Sequence, residues 1–154
     1  MKKTLFISDL DGTLLTSKET LSPFTLETLN RLTGQGMIFS YATARSYHSA
    51  SKVTTGLTVH LPIIVNNGVF ILENITWKRL HASYYTPEEA KRILETLNQR
   101  SVHPLAYTYL NGEQKYSYRP ECLSRGIRHF LDTRPDDPRR RPAAADARRK
   151  PAHH

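Results

Sequence analysis

An uninterrupted apolar run, Leu5-Phe6-Ile7, passes through Ser8 directly into Asp9-Leu10-Asp11-Gly12-Thr13. A run with no polar alternation reads as a strand buried on both faces, as in a parallel sheet. In open α/β sheets ligands gather at the carboxyl ends of the strands, which is where these two carboxylates fall. Aspartates at i and i+2 on a loop leaving a strand can converge on one cation and one substrate, and hard oxygen donors of this kind suit Mg²⁺. Gly12 removes the side chain where the backbone turns and leaves its N–H able to face an anion. The competing readings are a plain turn and a calcium loop. The second fails on spacing: counting from Asp9, the required glycine falls at Leu14 and the closing glutamate at Thr20. The first loses ground because strand, motif and helix follow in the order a phosphate site requires.

Residues 14–84 keep an α/β rhythm. Ser22 offers an N-cap and Pro23 a first helical position, with Leu26, Leu29 and Leu32 on one face and Gly34 and Gly36 as the stop. Met37–Tyr41 reads as a second strand, Arg45–Val53 as a helix and Pro62–Val65 as a third strand. Val69–Leu72 and Ile75–Leu80, separated by Glu73-Asn74, read as a hairpin. After Tyr85 the pattern changes. Thr86-Pro87-Glu88-Glu89 is a capping box, and Asn111-Gly112 joins two strands rich in tyrosine. A helix is expected within Cys122–Leu131. The expected organisation is therefore 1–84, an α/β core; 85–132, an α-β-β unit; and 133–154, a basic tail. Those last 22 residues contain no Ile, Leu, Val, Phe, Tyr, Asn or Gly, so disorder is expected from Thr133 onward.

Charge and composition narrow the function classes. The formal net charge of +8 divides into +4 on residues 1–132 and +4 on the 22-residue tail, so the body is only mildly basic. Nucleic acid is therefore not the expected partner, although the tail arginines could contact phosphates without sequence preference. The tyrosine hairpin reads as packing rather than a base-stacking platform. One cysteine, Cys122, excludes an internal disulfide and a cysteine zinc site. No run approaches the length of a membrane span, and the first residues do not read as a signal peptide. The expectation is a cytoplasmic protein with no membrane partner; nothing in the sequence speaks to oligomeric state.

Asp9-Leu10-Asp11-Gly12-Thr13-Leu14 resembles the first motif of the haloacid dehalogenase-like hydrolases. Ile38–Arg45, with Thr43-Ala44-Arg45 at its end, resembles their second motif in the form used by the Cof-type sugar-phosphatase branch. Pro62–Gly68 resembles that branch's Asn-Gly segment, and the unit from Thr86 its cap. The resemblance covers residues 1 to about 131. It implies a partial Rossmann-like parallel core of three strands with the beginning of an inserted α+β cap. It also implies hydrolysis of a small phosphorylated metabolite, by default a sugar phosphate. Asp9 would be the nucleophile and Asp11 the acid/base. Mg²⁺ would be held by the Asp9 carboxylate and the Asp11 main-chain carbonyl. Thr43 and the turn at Gly12 would bind the phosphoryl oxygens, with Ala44 where glycine is commoner and with Asn67 and Gly68 shaping the entrance. For Thr43 a satisfied strand-end hydroxyl, for Asn67-Gly68 a plain turn and for Arg45 a surface ion pair stay open beside these roles.

The same resemblance implies a lysine and a Gly-Asp loop after the cap, and neither motif occurs after residue 131. The expectation is a truncated chain whose tail derives from another reading frame, carrying an incomplete phosphatase. An inactive remnant and a basic nucleic-acid-binding protein are the two alternatives.

Overall fold

The computed structural model describes residues 3–110 and 113–142. The chain divides into two compact units, Met1–Tyr84 and Tyr85–His154, at the point where the sequence changes rhythm.

In the first unit β1 (Leu5–Ser8) runs parallel to β2 (Ile38–Tyr41), with Leu5 opposite Ile38 and Ser8 opposite Tyr41. Between them α1 (Pro23–Gly34) starts where the Ser22 hydroxyl accepts the Thr25 N–H at 3.0 Å. It ends at Gly34, and just beyond its C-cap Gly36 has a φ of +98° that suits a residue without a side chain. After α2 (Tyr47–Val53) the chain enters β3 (Ile63–Val65), parallel to the end of β2 through the Ala42–Ile64 bridge. The Ser40 hydroxyl reinforces that edge by donating to the Pro62 carbonyl at 2.6 Å. β4 (Phe70–Leu72) then pairs antiparallel with β3, and β5 (Arg79–Ala82) antiparallel with β4. Phe39, Tyr41, Ile63, Val65, Phe70 and Leu72 form the buried centre of these strands. β1 and β2 form a two-stranded parallel sheet that the Ala42–Ile64 bridge joins to the β3-β4-β5 sheet, giving the parallel order β1-β2-β3 of the expected α/β core, and the second unit supplies the α+β part.

Two expectations in this unit need correction. The hairpin turn is longer than Glu73-Asn74, because the Glu73 carboxylate accepts the N–H groups of Ile75 and Thr76 and so folds Ile75–Trp77 out of the strand. β1, expected to be buried on both faces, has Leu5, Phe6 and Ile7 about half exposed. Among the described residues it pairs with a strand on one edge only.

The second unit opens with α3 (Pro87–Gln99), whose capping box forms as its sequence demands: Thr86 Oγ1 accepts the Glu89 N–H at 3.2 Å and Glu89 accepts the Thr86 N–H at 2.8 Å. β6 (Ala106–Leu110) and β7 (Glu113–Tyr118) pair antiparallel with Leu110 opposite Glu113; Asn111 and Gly112 lie outside the described residues. α4 (Arg125–Asp132) follows, capped by Ser124. Tyr116 and Tyr118 are buried with Leu131, and Tyr116 meets Phe130 edge to face at 5.4 Å, so these tyrosines are core.

The tail also differs from expectation. Thr133–Pro142 is folded, and β8 (Arg140–Pro142) adds to β7 in parallel, with Arg140 opposite Tyr116. Strand addition uses main-chain groups and needs no aliphatic side chain. Arg140 Nε donates to the Tyr118 hydroxyl at 2.6 Å, and Asp137 binds Arg139 at 2.5 Å while Arg139 lies over the Tyr116 ring. Residues 143–154 lie outside the described residues.

Leu131→Ala should lower unfolding stability by about 2–5 kcal/mol, the usual range for a truncated core leucine. Ile75→Ala, at an exposed turn residue, should change it by less than about 0.5 kcal/mol. Urea denaturation of the two variants checks the contrast.

Candidate active site

At the end of β1, Asp9 Oδ1 accepts the Leu10 N–H at 2.7 Å, leaving its second oxygen without a hydrogen bond among the described residues. The following turn, Leu10–Leu14, closes with the Leu15 N–H on the Leu10 carbonyl at 2.9 Å. At its centre Asp11 (φ −74°, ψ 123°) and Gly12 (φ +74°, ψ 2°) have the two conformations of a type II turn, whose second position requires positive φ. A Cβ on Gly12 would meet nothing within 4 Å, so the backbone angle rather than space selects glycine. The buried Leu10 and Leu15 anchor the turn and leave Asp9, Asp11 and Gly12 exposed.

The loop after β2 reaches back to this turn through Arg45. Its Nε donates to Asp11 Oδ2 at 2.8 Å and its Nη2 to Asp11 Oδ1 at 2.6 Å, a forked pair. Nη2 also reaches Glu19 Oε2 at 2.8 Å, and Nη1 donates to Ser49 Oγ at 3.2 Å. The Arg45 side chain is only 14% exposed while Asp11 and Glu19 are 47% and 70% exposed, so it forms ion pairs at the surface that also clamp two loops together. Glu19 sits with φ +57° in the loop between Leu15 and Leu21, which the Leu15–Leu21 bridge closes. The sequence reading did not mark Glu19, which lies 26 residues from Arg45 in a polar loop with no motif. Ser49 was legible in principle, being four residues after Arg45 along a helix.

Thr43 is buried, and its Oγ1 accepts the Arg45 N–H at 3.1 Å, leaving the hydroxyl proton free to donate. The loop after β3 is laced to the same segment: the Asn67 N–H donates to the Thr43 carbonyl at 3.1 Å and the Asn66 N–H to the Arg45 carbonyl at 2.9 Å. Asn66, Asn67 and Gly68 are three consecutive residues with positive φ, a conformation that asparagine and glycine tolerate best. Ala44, Asn67 and Gly68 are exposed. The hydrogen bonds thus link Asp11 to Arg45 and Thr43 to Asn67, at the carboxyl ends of β1, β2 and β3.

Two carboxylates, Asp11 and Glu19, bind one guanidinium here, and Asp9 lies two residues before Asp11 on the same turn. The Arg45 hydrogen bonds hold the Asp11 carboxyl below its ordinary range against the opposing effect of burial, and the same contacts raise Arg45. With its carboxylate engaged by Arg45, Asp11 has only its main-chain carbonyl to offer a cation, beside the Asp9 carboxylate. That oxygen-only pair fits Mg²⁺, which keeps several of its own waters. No group of three or more His, Cys, Asp or Glu side chains able to hold a metal occurs among the described residues.

Because its folded-state value is depressed, Asp11 contributes stability that is present above the ordinary carboxylate value of about 3.9 and is lost as pH falls through the folded value. Arg45→Met should move Asp11 back up toward that ordinary value in a carboxyl-carbon NMR titration. An unchanged titration would mean that the fork does not persist in solution.

Residues 6–145 match the family of haloacid dehalogenase-like hydrolases. The chain is 33% identical over 104 residues to a 5-amino-6-(5-phospho-D-ribitylamino)uracil phosphatase of Bacillus subtilis, covering 66% of this chain and 38% of that protein. It is 32% identical over 99 residues to a pyridoxal phosphate phosphatase of Escherichia coli, covering 64% and 36%. It therefore spans little more than a third of the length of these relatives. A haloacid dehalogenase-like hydrolase from Bacteroides thetaiotaomicron shares the fold with a TM-score of 0.66 at 20% identity, over 94% of this chain and 53% of that one. With the family matched from β1 through the second unit, the chain belongs to the haloacid dehalogenase-like hydrolases, in their Cof-type branch.

Proposed function

We propose that the chain carries the phosphoryl-binding and nucleophile half of a phosphate monoester hydrolase that works through an aspartyl-phosphate. The reading rests on one observation: the loops after β1, β2 and β3 are tied together at the strands' carboxyl ends, with an unencumbered Asp9 oxygen among them. That oxygen would attack phosphorus, forming the Asp9–phosphorus bond as the bond to the leaving oxygen breaks. Asp11 would give the leaving oxygen its proton, then take one from the water that releases phosphate. To do so Asp11 must first be freed from Arg45, since the fork keeps it ionised. An incoming phosphoryl group, a competing acceptor for the guanidinium, supplies the means. The Thr43 hydroxyl and the Gly12 N–H would donate to the phosphoryl oxygens, and Asn67 and Gly68 would border the approach. Mg²⁺ bound at Asp9 and the Asp11 carbonyl would offset the charge gathering at phosphorus.

The substrate class is a small phosphorylated metabolite. The relatives' names, a uracil carrying a phosphorylated ribityl chain and pyridoxal phosphate, support a phosphorylated metabolite that bears a nitrogen heterocycle beside the sugar phosphate expected from the motifs. A second reading, a chain that binds phosphoryl groups without turnover, is favoured by the engagement of Arg45 with Asp11, Glu19 and Ser49.

Calorimetric titration with beryllofluoride, a phosphoryl mimic, separates these readings from a site that is no site at all. Binding should require Mg²⁺ and vanish in Asp9→Asn; equal binding by the variant would remove Asp9 from the nucleophile role. Wherever turnover of an alkyl phosphate is measurable, Asp11→Asn should lower kcat by roughly 10²–10⁴ with Mg²⁺ binding retained. Mimic binding without turnover would favour the second reading.

A further inference from the structure

The N–H donors of the Arg45 guanidinium divide into two sets. Nε and one Nη2 hydrogen form the fork on Asp11, at 2.8 and 2.6 Å. The other Nη2 hydrogen reaches Glu19 Oε2 at 2.8 Å, and Nη1 donates to Ser49 Oγ at 3.2 Å. The Nε/Nη2 edge that forks onto a carboxylate also matches two phosphoryl oxygens. Asp11 can therefore be exchanged for a phosphoryl group while the second set of bonds stays in place. Glu19 holds its position in that set against its own backbone. Its N–H donates to the Thr16 carbonyl at 2.9 Å, and the Thr16 N–H donates to the Thr20 carbonyl at 2.9 Å. This is the pattern of a tight hairpin whose bulge residue takes positive φ, and Glu19 is that residue, at +57°. Glycine ordinarily fills such a position, because a Cβ strains the left-handed backbone. The local turn gives no reason for a long acidic side chain here; the bond to Arg45 does.

We propose that Glu19 is a positioning residue for the phosphoryl site. With Ser49 it keeps the Arg45 guanidinium in its plane while the Nε/Nη2 edge passes from Asp11 to the incoming group. Asp11 is released for proton transfer, and the guanidinium stays at the site instead of swinging into solvent. The role rests on the reading that a phosphoryl group binds here. Glu19 acts on that group in two opposing ways: its negative charge repels it, and its hold on Arg45 preorganises the donor that receives it. The Glu19 side chain is mostly exposed, so its charge is screened, whereas the Arg45 side chain it orders is mostly buried. The hold therefore sets the sign of its effect.

Beryllofluoride titration of the full chain with Mg²⁺, beside thermal melts, tests the role in Glu19→Gly. Glycine relieves the backbone and removes the hold. The variant should melt no lower than the unsubstituted chain, yet bind beryllofluoride about three- to tenfold more weakly, the worth of leaving one long side chain unordered. A residue that only braced its loop would lower both together. A second arm needs no ligand. In Asp11→Ala the Arg45 Nη protons should stay resolved by NMR, because Glu19 and Ser49 still hinder rotation of the guanidinium; in Asp11→Ala/Glu19→Gly they should coalesce. Unchanged or tighter mimic binding by Glu19→Gly, a lower melting temperature, or coalescence already in Asp11→Ala would each overturn the role and leave the phosphatase reading standing. No mimic binding by the unsubstituted chain would overturn that reading, and the role with it.

Discussion

Arg45 is the contact on which the geometry of the site depends. It leaves the loop after β2, spans to the turn after β1 and forks onto Asp11, while a second acceptor on the Leu15–Leu21 loop and a third on α2 fix the guanidinium plane. Its own main chain is held as well, the N–H by Thr43 and the carbonyl by Asn66. Five points of attachment on one residue join loops from three strands. A lysine could not replace it, because only the planar fork presents two parallel donors to one carboxylate.

That clamp is placed by sheet register. β1 and β2 are parallel and in step, so Asp9 and Ala42 emerge at the same level, and the Ala42–Ile64 bridge brings β3 to that level too. The turn chemistry then does the aiming: Gly12 accepts the positive φ that a type II turn imposes, and Asn66, Asn67 and Gly68 accept theirs. The result is two carboxylates, Asp11 and Glu19, held on one guanidinium beside the exposed Asp9. The cost is visible at β1, where the strand that carries Asp9 has half-exposed leucine, phenylalanine and isoleucine.

Much of this was legible in the residues because the signals were local. The Ser22 and Thr86 caps, the glycine after α1 and the Asp-x-Asp-Gly turn each depend on neighbours within four residues, and each formed as written. What was not legible depended on distant partners. Nothing near Glu19 announces a bond to Arg45, and the apolar run of β1 states what the strand could bury, not whether a neighbour is there to bury it. Thr133–Pro142 reads as disordered on composition, because composition counts aliphatic side chains. That segment is held instead by main-chain pairing to β7 and by arginines on tyrosine rings.

The central claim is that Asp9, at the end of β1, is the atom donor to phosphorus. Incubation of the chain with Mg²⁺ and a small acyl phosphate, followed by acid quench and peptide mass spectrometry, tests it directly. The account predicts one phosphoryl group on the peptide containing Asp9, absent without Mg²⁺ and absent in Asp9→Asn. A phosphoryl group on another residue, or one that persists in Asp9→Asn, would contradict it.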